Sequence, residues 1–162
     1  MRLTDAVVQA SMWSDARSFF EAVGRAVDSM ARIDNQLMYG IEGIERRPGM
    51  GARPLMSDPT ASAALFAESA KLAMERLRGR REAMELIVGA GLAVIEGVRL
   101  ALGDGRADVL EARYIDRLAW EDVAERLGVS RSTAIRRADV ALEWVDSVGW
   151  RRAIEGTGGA EG

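Results

Sequence analysis

Arginine and hydroxyl side chains crowd into one short stretch, SRSTAIRR at 130–137, which holds three arginines and no acid. These residue types suit a polyanion. A guanidinium forks onto guanine O6 and N7 or grips a phosphate, and serine or threonine can serve either. Arg131 falls near the start of the helix that this stretch opens, where exposed N–H groups and the helix dipole also favour phosphate. The expected contact surface is Arg131, Ser132, Thr133, Ile135 and Arg136, with Ser130 at the cap and Arg137 alongside. Ile135 would supply an apolar contact such as a thymine methyl accepts.

Enzyme chemistry has much less to work with. The chain has no cysteine and no histidine. That removes thiolate and imidazole as metal ligands, and imidazole as a general base. Acyl-transfer triads of the usual kind are absent. Glu121 and Asp122 are adjacent and so diverge; they suit the first turn of a helix. Gly103-Asp104-Gly105 is too short to cradle a phosphate. The residues argue against an enzyme, and no cofactor or metal is expected.

The elements that must position the arginines are legible around them. Glu121 to Leu127 reads as a helix with an apolar stripe of Trp120, Val123, Ala124 and Leu127. Gly128 sits where the chain turns, because a residue without Cβ enters the left-handed region without steric cost. Ser130 offers a hydroxyl to cap the next helix. That helix carries Ala134, Ala138, Ala141, Leu142 and Val145 on its inner stripe and runs to Val148. Trp144 reads as core rather than as a platform for a base, and Trp150 closes the end. Arg106 to Tyr114 reads as a leading helix, with Ile115-Asp116-Arg117 as the connection. Two helices joined by so short a turn make a helix-turn-helix, whose second helix is the natural reader of a major groove.

Residues 105–145 resemble the fourth region of bacterial sigma factors and, more closely, the small phage and prophage late-operon regulators termed ArpU-like and RinA-like. The shared pattern is a leading helix ending in L-x-x-R-Y (Leu110, Arg113, Tyr114), an aromatic with acids (Trp120, Glu121, Asp122), a V-A-x-x-L-G-V-S turn (Val123 to Ser130), and a closing Ala141-Leu142. The resemblance covers about a quarter of the chain and implies DNA reading at Arg131, Ser132, Thr133, Ile135 and Arg136. The sequence departs from it at Arg137, where such proteins carry an apolar residue. Either Ile135 or Arg137 then faces the groove. Ala134 is also smaller than the usual valine.

The remainder reads as all-α, a long antiparallel helical hairpin ahead of the C-terminal helix-turn-helix domain. A short helix is expected within residues 1–15. Ser14 or Asp15 caps a helix from Ala16 to about Glu45, striped by Phe19, Val23, Val27, Met30, Leu37, Ile41 and Ile44. Residues 46–59 are a glycine- and proline-rich break. Its Arg46, Arg47 and Arg53 make a possible secondary basic patch, read first as a solvated loop. Asp58-Pro59 starts a second long helix with a heptad-like, coiled-coil stripe from Phe66 to Ala101. Its one charge, Arg80, is expected at the rim or paired with Asp34. Gly89, Ala90 and Gly91 allow another helix to approach, and Leu72, Leu86, Leu92 and Ile95 fall outside the stripe. The domains expected are a hairpin at 1–102 serving oligomerisation, the reading domain at 103–152 and a flexible tail at 153–162.

With 48% hydrophobic residues the chain is too apolar for disorder, and its net charge of −3 is unlike a non-specific DNA coat. Residues 105–152 hold nine arginines and nine acids, so the reading domain is neutral and polarised. No signal-like or membrane-spanning run stands out, and a cytoplasmic protein is expected. The leading expectation is a sequence-specific regulator of phage or prophage late genes. It would bind double-stranded DNA as a homodimer or higher oligomer, with a possible contact to RNA polymerase. Two other readings are a phage small terminase subunit that recognises packaging-site DNA, and a non-enzymatic helical adaptor.

Overall fold

The computed structural model describes residues 1–45 and 59–158. Among them every regular element is helical: α1 (Leu3–Ala10), α2 (Ala16–Glu45), α3 (Pro59–Leu102), α4 (Asp104–Leu110), α5 (Trp120–Leu127), α6 (Arg131–Val148) and α7 (Trp150–Glu155). A π-helical turn, Glu111–Ile115, continues α4. It absorbs Ile115, which was expected in the connection. Arg46, Arg47 and Arg53 lie outside the described residues. No described helix is long and apolar enough to cross a membrane.

The chain divides into two compact units, Met1–Asp28 with Met84–Gly162, and Ser29–Ala83. The expected boundary after residue 102 therefore falls inside a unit. The physical reason is an aromatic core shared by distant segments. Phe19 stacks edge-on against Phe20 at 5.3 Å and against Trp150 at 4.9 Å, and Phe20 lies 5.4 Å from Tyr114. Phe19, Phe20, Val23, Val94, Val98, Leu110 and Val145 are all buried in one cluster. Fully burying side chains of this size is worth about 1.5–3 kcal/mol each. A break at residue 102 would expose several of them together.

Within this unit α3 is enclosed on more than one side. Ala90, Val94, Ile95 and Val98 are all buried, so Ile95 belongs to the core although it lies outside the heptad stripe. Leu92 and Leu100 stay exposed. A Cβ on Gly91 would stand 2.8 Å from a Val23 methyl, so glycine is what lets α2 come this close. Gly97 likewise faces the Ala153 carbonyl directly. Ala153 is buried and α7 runs to Glu155, so the tail expected from residue 153 begins as packed helix. Asp15 caps α2, its carboxylate accepting from the Ser18 N–H at 2.7 Å, and Asp146 of α6 accepts from the Ala16 N–H at 2.8 Å.

The second unit comprises the later part of α2 and the first part of α3. Ile33 is its buried apolar residue on α2. Asp34 pairs with Arg81 at 2.6 Å, one position beyond the expected Arg80. Arg80 is exposed and lines a cavity of about 230 Å³ with Arg32 and Gln36. Met38, Tyr39, Leu65 and Leu72 are large exposed apolar residues in this unit.

Candidate nucleic-acid interface

α5 and α6 are joined by three residues whose local chemistry fixes the turn. Gly128 is left-handed, φ 65° and ψ 34°, and caps the end of α5. Ser130 is extended, and its Oγ accepts from the Thr133 N–H at 3.1 Å, closing the first turn of α6. The same hydroxyl bonds Thr133 Oγ1 at 2.8 Å and lies 3.2 Å from Ser132 Oγ. Ala134, Ala138, Ala141, Leu142 and Val145 are buried, all five as the spacing predicts. They seat α6 against α4, α5 and α7. Ala134 and Ala138 have little bulk, so the neighbouring helices come near and the opposite side of α6 is left outward.

That outward side holds Ser130, Arg131, Ser132 and Arg136, all exposed, while Thr133, Ile135 and Arg137 are half-buried. Arg131 pairs with Glu121 at 3.1 Å, with 58% and 70% of the two side chains exposed. An ion pair this open is worth only about 0–1 kcal/mol, so Arg131 is easily surrendered to a stronger anion. Arg136 has no partner among the described residues. Arg137 lies across Gly105 of α4, its Nη1 3.2 Å from where a Cβ on that glycine would stand. The Arg137 side chain thus lies against α4. Asp139, one turn further on, pairs with Arg17 of α2 at 2.7 Å, which holds the Arg17 guanidinium in its charged form. Trp144 is half-buried, and its indole N–H donates to the Gly158 carbonyl at 3.1 Å, a packing role rather than a free stacking face.

A second arginine cluster went unnoticed in the sequence. A cavity of about 360 Å³ in the first unit is walled by Arg17 and Arg25 from α2, Arg113 from the π turn, and Arg117. Tyr114 and Trp120 complete the wall, with Glu21 the one acid. Arg117 is the one described non-glycine residue with positive φ, 58°. Its guanidinium forks onto Asp28, with bonds of 2.9 and 3.1 Å, and lies directly over Gly24, where any Cβ would collide with it. Arg113 donates to the Leu118 carbonyl at 2.9 Å and lies 4.9 Å over the Trp120 ring. Burial pushes the Tyr114 phenol pKa up. The readable signal was the four-residue step of Arg17, Glu21 and Arg25, which puts all three on one face of α2.

A second cavity, about 330 Å³, is lined by Asp108, Glu111, Asp116 and Arg126. Its acids are already engaged. Arg99 reaches Asp108 at 2.7 Å and Glu111 at 3.1 Å, and Arg126 meets Asp116 at 2.5 Å. Among the described residues no group of side chains is placed to hold a metal ion.

No family model matches the chain, and neither a curated protein nor a solved structure matches it.

Proposed function

We propose that this chain is a sequence-specific DNA-binding transcriptional regulator. Its α5–α6 pair acts as a helix-turn-helix, and α6 enters the major groove with Arg131, Ser132 and Arg136 leading. The observation that carries this reading is the exposed, acid-free first two turns of α6, on a helix whose other side is locked down by Ala134, Ala138, Ala141, Leu142 and Val145. A groove reader needs both properties: side chains able to reach base edges, and a backbone held rigidly enough to set their register. Thr133 and Ile135, half-buried, line the edge of that surface. Arg137, laid over Gly105, steadies α6 against α4 rather than reading bases.

α2 and α3 form an antiparallel hairpin in this reading. Two pairings support it, each within its own unit: Val23 against Gly91, and Asp34 with Arg81. The hairpin holds two reading heads together in a homodimer, or one head beside RNA polymerase. Two heads are favoured because one short helix reads only a half-site. The resemblance of residues 105–145 to regulators of phage and prophage late genes directs the reading to such operons.

Selection from a random duplex pool tests the proposal. The full chain is expected to enrich a short motif, repeated with two-fold symmetry if the protein is a dimer. The Arg131→Ala, Arg136→Ala double variant is expected to enrich none. Motif enrichment by the double variant would remove these residues from the interface. Enrichment of nothing by the unaltered chain would sink the reading. Light scattering gives the assembly: a dimer fits a regulator, and a large ring would point instead to a packaging subunit.

A further inference from the structure

We infer that the arginine-walled cavity between α2 and the π turn is a binding site for a phosphate group carried on a larger molecule, distinct from the α6 surface. Charge comes first. Four guanidinium groups face one cavity whose only acid is Glu21. Arg17 and Arg117 are balanced from outside it by Asp139 and Asp28. Arg25 and Arg113 have no carboxylate partner among the described residues; Arg113 meets only a carbonyl and the Trp120 face. The wall therefore keeps an excess of positive charge with donors still unused.

Backbone geometry points the same way. Arg113 and Tyr114 belong to a π turn, and Arg117 is held at φ 58°. π turns and left-handed non-glycine residues persist only where surroundings over-determine them, and they concentrate at functional sites. Here both aim side chains into one cavity. Gly24 contributes by leaving room for the Arg117 guanidinium, which a side chain would displace. Arg17, Arg113 and Arg117 are held before any ligand arrives, which lowers the ordering cost of binding, and Arg25 is left free to close on the anion.

Size and lining narrow the ligand. A volume of about 360 Å³ lies in the range of small-molecule sites, roughly 300–1,000 Å³. A bare phosphate would leave much of it empty. Tyr114 and Trp120 give the remainder an aromatic wall. The shared chemistry is thus a phosphoryl group with a body attached, whether a free phosphomonoester or one link of a nucleic-acid backbone. The inference stands whether or not α6 reads DNA.

Calorimetry on the full chain at fixed ionic strength, with adenosine 5′-monophosphate against adenosine, separates the sources. In the first supporting outcome the monophosphate binds saturably, adenosine does not, and Arg25→Glu weakens binding about tenfold or more, as loss of a charge-assisted contact should. Arg136→Ala leaves that binding unchanged. In the second, the monophosphate does not bind, yet Arg25→Glu lowers affinity for duplex DNA and reduces the slope of log K against log salt by about one. The phosphate is then a backbone link. Arg25 is exposed and unpaired, so the variant should fold; Arg25→Gln repeats the test if circular dichroism says otherwise. The inference is overturned if the monophosphate binds equally to the Arg25 variants, or if neither ligand responds to them. A chain that binds the monophosphate but no duplex would refute the regulator reading and leave this one standing.

Discussion

The two arginine clusters are built on opposite plans. At the start of α6, Arg131 is held by one open ion pair and Arg136 by nothing among the described residues. Around the cavity, Arg117 is forked onto Asp28, Arg17 is bonded to Asp139, and Arg113 is pinned between a carbonyl and an indole. A loosely held guanidinium keeps its rotamers and can settle on whichever base edge or phosphate the groove presents. A pinned one has already lost that freedom, so it fits one geometry and binds it with less further ordering. On the proposed function, the same residue type serves adaptable reading in one place and a preformed cavity in the other.

The largest expected effect breaks the loose cluster alone. Arg131→Ala with Arg136→Ala should lower affinity for a selected duplex by about a hundredfold or more, since each lost base or phosphate contact is worth about 1–3 kcal/mol. Fluorescence anisotropy measures it, and far-UV circular dichroism should not change, because both side chains are exposed. A loss below tenfold would place the duplex elsewhere. Ser130→Ala comes next. Removing the cap of α6 should cost about 1 kcal/mol in urea unfolding, with a smaller loss of DNA affinity through fraying of the turn that carries Arg131. Unchanged stability would mean that the Ser130–Thr133 bond contributes nothing net.

Why the loose cluster was legible and the pinned one was not is a matter of range. Gly128, Ser130 and the alanine steps of α6 act within a few residues of themselves, so type and spacing suffice to place them. The cavity is assembled across the chain, with 89 residues separating Asp28 from Arg117, and no local rule connects them. The fold divides in the same way. Helix periodicity located α2, α3, α5 and α6 within a residue or so. It could not say that Phe19 would meet Trp150, or that Ile95 would be enclosed as well as Val94, because a stripe shows that a face is buried and not against what. For that reason the compact units do not divide at residue 102, and α7 runs past Ala153, whose carbonyl lies on Gly97. Arg137 was flagged as a departure, and only the structure supplied the glycine it rests on.

A smaller effect probes a direct ion pair between α6 and the cavity wall. Asp139 lies on α6 and holds Arg17, with 55% of the arginine and 42% of the aspartate side chain exposed. Asp139→Asn should cost no more than about 1 kcal/mol of stability, as open surface pairs do. It removes a negative charge from α6 and releases Arg17, so duplex affinity should rise a few-fold and its salt dependence should steepen. Weaker DNA binding in this variant would show that the pair orients α6, and that the clusters are mechanically joined rather than merely adjacent.

The smallest effect concerns the start of α2, which carries Arg17 into the cavity wall. The Asp15 carboxyl is held below its usual range, chiefly by the hydrogen bond from the Ser18 N–H and then by the Ser18 side chain. The unfolded chain therefore takes up a proton on Asp15 at higher pH than the folded one, so this bond's contribution is complete above about pH 4 and declines as pH falls through the depressed folded value. Asp15→Asn keeps an acceptor for the Ser18 N–H and cannot titrate. It should match the unaltered chain near neutral pH and lose less stability between about pH 5 and pH 3, as read by urea unfolding at each pH. Because Arg17 follows two residues later, acid should also loosen the pinned cluster before the loose one. Phosphomonoester binding should weaken below about pH 4 in the unaltered chain and less so in the variant, whereas the cap of α6, the Ser130 hydroxyl, does not titrate there. Identical acid sensitivity in the two proteins would move the source of that sensitivity away from Asp15.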